Sequence, residues 1–135
     1  MKKTFLLSLL LVTFIRFSAI SQSIIVKDGN YNIQLRIEGN IVKNNNYDII
    51  GRIDGNVIKD GSYNVICRID GNKLKDGNYN IIGRIEGNIV KNGGYNIVGR
   101  INDKTIKDGG YNIVGRINGS PTTKQMISIL YFMVL

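Results

Sequence analysis

With 135 residues, a single cysteine and no histidine, the chain is long enough for one domain, and that domain must hold together without an internal disulfide. The missing histidine removes the commonest general base and metal ligand. The formal charge of +8 comes from basic residues interleaved with acidic ones, a pattern that excludes a dedicated nucleic-acid surface.

In chain order, residues 1–21 have the layout of a secretory signal peptide. Lys2 and Lys3 form the charged start, Phe5 to Ile15 the apolar stretch, and Ala19 and Ser21 the small residues before a cut at Ser21–Gln22. The apolar run falls short of the ~20 residues a membrane-spanning helix needs, so no membrane span is expected in the mature chain. Removing Lys2, Lys3 and Arg16 lowers the charge from +8 to +5.

Residues 22–121 form the repeat domain. Six sixteen-residue copies start at Val26, Val42, Ile58, Leu74, Val90 and Ile106 with nothing inserted between them. A fixed short period means that each unit buries its apolar face against its neighbours, in a linear stack or a closed ring. Each unit carries two turn signals, Asp54–Gly55 and Asp60–Gly61 and their equivalents, separated by a longer and a shorter segment rich in β-branched residues. The pattern predicts a meander of about twelve short strands, with no helical period after the first 21 residues. Period-two alternation, counted from Tyr79, puts Tyr79, Ile81, Gly83 and Ile85 on one face and Asn80, Ile82 and Arg84 on the other. On this reading the Tyr row (31, 47, 63, 79, 95, 111) belongs to the core together with the aliphatics that open each copy. Cys67 takes a place held by Gly in four other copies and is expected to be a small buried substitution. Residues 122–135 leave the pattern, and their apolar run from Met126 is expected to act as a closing strand or plug.

The unit [VI]-K-[DN]-G-x-Y-N-I-[IV]-G-R-I-[DE]-G-N, carried from Val26 to about Ser120, resembles the five-fold β-flower proteins, small exported proteins of Bacteroidota built of glycine-rich hairpins. The resemblance implies an all-β fold, a closed, ring-like (toroidal, propeller-like) array of short β-hairpins. It brings no catalytic residue and no cofactor. Six copies against a nominal five-fold ring is a departure that leaves the symmetry, five or six, open.

The most regular polar feature is the row Arg36, Arg52, Arg68, Arg84, Arg100 and Arg116, flanked by Asn32, Asn64, Asn80, Asn96 and Asn112, with Asp48 in the second copy. Such a band of guanidinium groups can hold carboxylate or phosphate in bidentate pairs. The plainer account pairs each Arg with an acidic turn such as Asp54 or Asp70. The Tyr row as a sugar-stacking platform stands behind its reading as core. Calcium is disfavoured because Asn and Glu freely replace Asp in the turns. A perfect repeat offers no convergence of unlike residues, so an enzyme is not expected. The first reading is an exported structural or interaction protein of the bacterial envelope or secreted milieu. The alternative is a carbohydrate- or anion-binding module on the Arg/Asn face, with an envelope glycan or anionic surface as partner.

Overall fold

The computed structural model describes residues 23–135, so the expected signal peptide and its cut lie outside the described residues. Each copy supplies one long and one short strand. The long ones are β2 (Ile33–Glu38), β4 (Ile49–Asp54), β6 (Val65–Asp70), β8 (Ile81–Glu86), β10 (Ile97–Asn102) and β12 (Ile113–Asn118). The short ones are β1 (Ser23–Lys27), β3 (Ile41–Lys43), β5 (Val57–Lys59), β7 (Lys73–Lys75), β9 (Ile89–Asn92) and β11 (Thr105–Lys107). Every strand pairs antiparallel with its sequence neighbours, and β1 pairs with β12, which closes a twelve-stranded barrel. The seam copies the internal pairings. Val26 faces Ile117 and Lys27 faces Arg116, as Ile58 faces Ile53 and Lys59 faces Arg52. The ring therefore has six equivalent units, one of them completed by the two ends of the strand array.

Inside the barrel point the opening aliphatics Val26, Val42, Ile58, Leu74, Val90 and Ile106, all 0–1% exposed. Beside them lie the Gly-slot residues (Leu35, Gly51, Cys67, Gly83, Gly99 and Gly115) and the Ile row from Ile37 to Ile117. Each long strand carries a bulge, since Lys59 faces Val65 but Ile58 faces Cys67, which leaves Ile66 as the extra residue. The bulge breaks strict alternation and packs Ile50, Ile66, Ile82, Val98 and Val114 against the core. In the first copy Gln34 is the bulge residue, and Leu35 supplies apolar volume at the slot instead.

A barrel of about eight strands is just filled by its own side chains, so twelve leave a lumen that something must occupy. The occupant is α1 (Thr123–Val134), a helix where the sequence suggested a strand or plug without helical period. Its start is fixed by a capping box: Gln125 N donates to Thr122 Oγ1 (3.2 Å), and Thr122 N donates to Gln125 Oε1 (2.9 Å). A helix of this length is marginal in isolation, and burial of Ile127, Ile129 and Leu130 stabilises it here. The slot glycines make room for its far end. A Cβ on Gly83 would lie 2.8 Å from Leu135 and one on Gly51 3.0 Å from the Phe132 ring.

The helix breaks the six-fold symmetry. Gln125 Nε2 donates to the Gly39 carbonyl (2.9 Å) and ties the helix to the β2–β3 turn. On that side Ile37 is fully buried, and Ile53 and Ile117 nearly so, whereas their equivalents Ile69, Ile85 and Ile101 stay half-buried. A cleft of about 500 Å³ opens beside Ile85, Ile101, Met126, Ile127 and Leu130 at the mouth where the helix enters.

Candidate functional site

The face assignment from the sequence is corrected at the tyrosines. The long strands begin two residues after Tyr, so the alternation counted from Tyr79 starts inside a turn. In each turn the Tyr N–H donates to the carbonyl of the Asp or Asn three residues earlier (3.1 Å), and Tyr adopts φ of 65–69°. Hairpins of this shape usually give that left-handed position to Gly, because a bulky residue there is strained. The Asp28, Asp60, Asp76 and Asp108 side chains hold the turns. Asp76 Oδ1 accepts from Asn78 N and Asn80 N, both at 2.9 Å. The hydrogen bond from the Asn80 backbone, and its counterparts from Asn32, Asn64 and Asn112, hold these four carboxyls below the usual carboxylate range.

The left-handed Tyr leaves the core, with the six tyrosine residues 60–65% exposed. Tyr and Arg lie together on the outer wall, not on opposite faces. The Arg guanidinium of each copy sits over the ring of the next: Arg36 on Tyr47, Arg52 on Tyr63, Arg68 on Tyr79, Arg84 on Tyr95 and Arg100 on Tyr111, with Arg116 on Tyr31 across the seam. Carbon-to-centroid distances of 3.8–4.3 Å place all six within cation–π range. The turn leans back onto the preceding hairpin to reach its Arg. Gly61 accordingly abuts the Ile49 carbonyl so closely that a Cβ would collide with it.

The expected Arg–acid pairing does not form among the described residues. Lysine takes the acids instead: Lys59–Asp54 (3.0 Å), Lys75–Asp70 (2.9 Å), Lys91–Glu86 (3.0 Å) and a looser Lys43–Glu38 (3.8 Å). Lys59 stands across the strand pair from Arg52 but reaches diagonally to Asp54, two residues nearer the turn. The guanidiniums bond to backbone carbonyls of the Tyr turns: Arg68 to Gly77, Arg84 to Gly93 and Arg116 to Gly29. Nε of Arg36, Arg52, Arg68, Arg100 and Arg116 is buried without a hydrogen-bond partner among the described residues. Stacking, more than hydrogen bonding, therefore sets the orientation of these groups.

One outer recess of about 320 Å³ is lined by Asn56 and Val57 of the second copy, Arg68, Ile69 and Asp70 of the third, and Lys75 and Tyr79 of the fourth. It combines a flat aromatic ring, a planar cation, an amide and a lysine paired with Asp70. Those groups recognise sugar faces and carboxylates. The Asn row that was expected to flank Arg is used locally, with Asn64, Asn80 and Asn112 donating to the turn carboxylates. Cys67 is fully buried as expected, and burial pushes its thiol up to about 11, so it is not a nucleophile at neutral pH. Among the described residues, no three His, Cys, Asp or Glu side chains gather as metal ligands.

Over residues 21–134 the chain matches the family described as 5-fold beta-flower protein. The chain belongs to that family. No curated protein and no solved structure matches it. This β-flower closes with six units, and its belt of Arg–Tyr stacks runs through all of them.

Proposed function

We propose that this β-flower protein is an exported, non-enzymatic binding module that holds carbohydrate or anionic polymer on its outer belt. One observation carries the reading. Six tyrosines in a strained left-handed conformation are exposed, and each lies beneath an Arg that has no acidic partner among the described residues. Strain repeated at every copy persists where the surroundings over-determine it, and such residues cluster at binding surfaces. A ring of equivalent weak sites gains strength on a repetitive ligand through effective concentration. Export rests on the Lys2–Lys3, apolar and Ala19-x-Ser21 pattern.

The test is retention of the purified protein on gels cast with neutral or acidic polysaccharides. Arg84→Ala and Tyr79→Ala are expected to reduce retention while the barrel stays folded by circular dichroism. The structural reading, in which the stacks only clip hairpins together, predicts a lower melting temperature in both variants and no retention for any of the proteins. That result would overturn the proposal.

A further inference from the structure

The belt is not uniform in charge, and its departures from the repeat fall together. β2, β4, β6 and β8 each end in an acid, Glu38, Asp54, Asp70 or Glu86, which pairs with the Lys of the following short strand. β10 and β12 end in Asn102 and Asn118 at the same place. Their partner lysines, Lys107 and Lys27, have no acid within ion-pair distance among the described residues. The strands involved, β10, β11, β12 and β1, are consecutive around the barrel and contain no Asp or Glu. Arg100 faces Lys107, and Arg116 faces Lys27, so four cations line one sector that spans the seam. Tyr111 lies beneath Arg100 and Tyr31 beneath Arg116, which puts two exposed rings beside them. The adjoining turns carry three carboxylates: Asp103 between β10 and β11, beside Lys104, and Asp28 and Asp108, which are held by backbone N–H groups of their own loops. None of the three forms an ion pair among the described residues.

We infer that this seam sector is the docking site for an acidic polysaccharide, one carrying a carboxylate on successive sugars. The inference rests on the binding function proposed above and assigns it a ligand class and a place on the ring. Strand cations without an ion-pair partner supply the attraction for the carboxylates, the turn acids being turned to their own loops or beside Lys104, and the adjacent Tyr rings supply flat faces for the sugars. The remaining two-thirds of the belt pairs its own lysines with acids and contributes weaker contacts to the same polysaccharide chain.

The repeat itself provides fold-neutral test variants. Asn102→Glu with Asn118→Asp restores the acids that the other four copies carry, and Asp54→Asn with Asp70→Asn removes two of them from the far side. Binding of an end-labelled oligogalacturonate is read by fluorescence anisotropy in 50 mM and 500 mM salt, with a neutral dextran fragment and anionic lipid vesicles as separate arms. Wild type is expected to bind the oligogalacturonate only at low salt. The restored-acid variant should bind about tenfold more weakly with an unchanged melting temperature, since two new opposite charges screen the sector at close range. The far-side variant should bind at least as tightly as wild type. Equal binding by wild type and the restored-acid variant would overturn the seam assignment alone. Binding to vesicles but not to oligogalacturonate would overturn the polysaccharide. No binding in any arm would remove both the inference and the function beneath it.

Discussion

At the scale of the residue, the exposed seat of each Tyr on the Arg of the preceding copy decides what its replacement costs. Read as core, Tyr79→Ala would cost about 3–5 kcal/mol. Exposed and stacked on Arg68, it is worth far less, because a surface cation–π contact contributes about 0.5–1 kcal/mol. Its left-handed φ of 68° adds a second effect that separates two substitutions. Ala keeps the strain and loses the ring, while Gly loses the ring and relieves the strain. Tyr79→Gly is therefore expected to be more stable than Tyr79→Ala by about 1 kcal/mol, measured by urea titration. The reverse order would show that the turn opens when the ring is removed. The sequence concealed this because Tyr-Asn-Ile alternates like a strand, whereas the deciding feature is the hydrogen bond from Tyr79 N to the Asp76 carbonyl. One signal was available: Asp or Asn at the first turn position can close an Asx-turn by accepting from the backbone N–H two residues on, as Asp76 does from Asn78, which the Asp-Gly pair alone does not convey.

At the scale of the element, the strands were legible from their turn pairs and β-branched segments, and the helix was not. Residues 126–135 lack a polar face because the helix is surrounded by barrel wall, so the periodicity that marks a surface helix is missing. The capping box Thr122-x-x-Gln125 ahead of an apolar run was the readable sign. The off-centre seat of α1 makes equivalent positions unequal, which can be tested by the same substitution on both sides. Ile101→Phe extends into the open cleft and is expected to stabilise by about 0.5–2 kcal/mol, as cavity filling commonly does. Ile37→Phe overfills a fully buried place and is expected to destabilise by about 1–3 kcal/mol. Thermal melts of the two variants should move in opposite directions. A shift of the same sign in both would mean that the helix is centred in solution.

At the scale of the whole molecule, the closed ring shares one acid-sensitive device among four of its six Tyr turns. Asp28, Asp60, Asp76 and Asp108 have carboxyls held below their ordinary range, mainly by backbone N–H donors. A depressed folded-state pKa gives stability that is present above the unfolded value of about 3.9 and is lost as pH falls through the folded value. The melting temperature is thus expected to be level from pH 8 to about 5 and to fall below about pH 4. Asn44 and Asn92 already make the same turn contacts without a charge. The variant with Asn at all four Asp positions should flatten the acid limb, and an unchanged limb would place the acid sensitivity in the Lys-paired acids instead. The closed topology itself was implied by the family resemblance. Its count of six follows from β1 and β12 matching the register of the internal pairs, which repeat spacing alone does not fix.

The helix in the lumen has a further consequence. A body without rotational symmetry, seated inside a six-fold wall, has six candidate orientations. If the copies were identical, those orientations would be degenerate but for the short link from β12. Populating all six would spread the native state by about RT ln 6, roughly 1 kcal/mol of configurational entropy, and give six overlapping structures instead of one. The irregularities of the repeat lift that degeneracy. Leu35 blocks the slot where a glycine would admit the helix tip, Cys67 narrows a second, and the three glycines at 51, 83 and 99 accept Phe132, Leu135 and Val134. Apparent copying errors in the repeat therefore help to index the plug, and converting Leu35 and Cys67 to Gly would leave the choice of orientation to the short link from β12 and the Gln125–Gly39 bond.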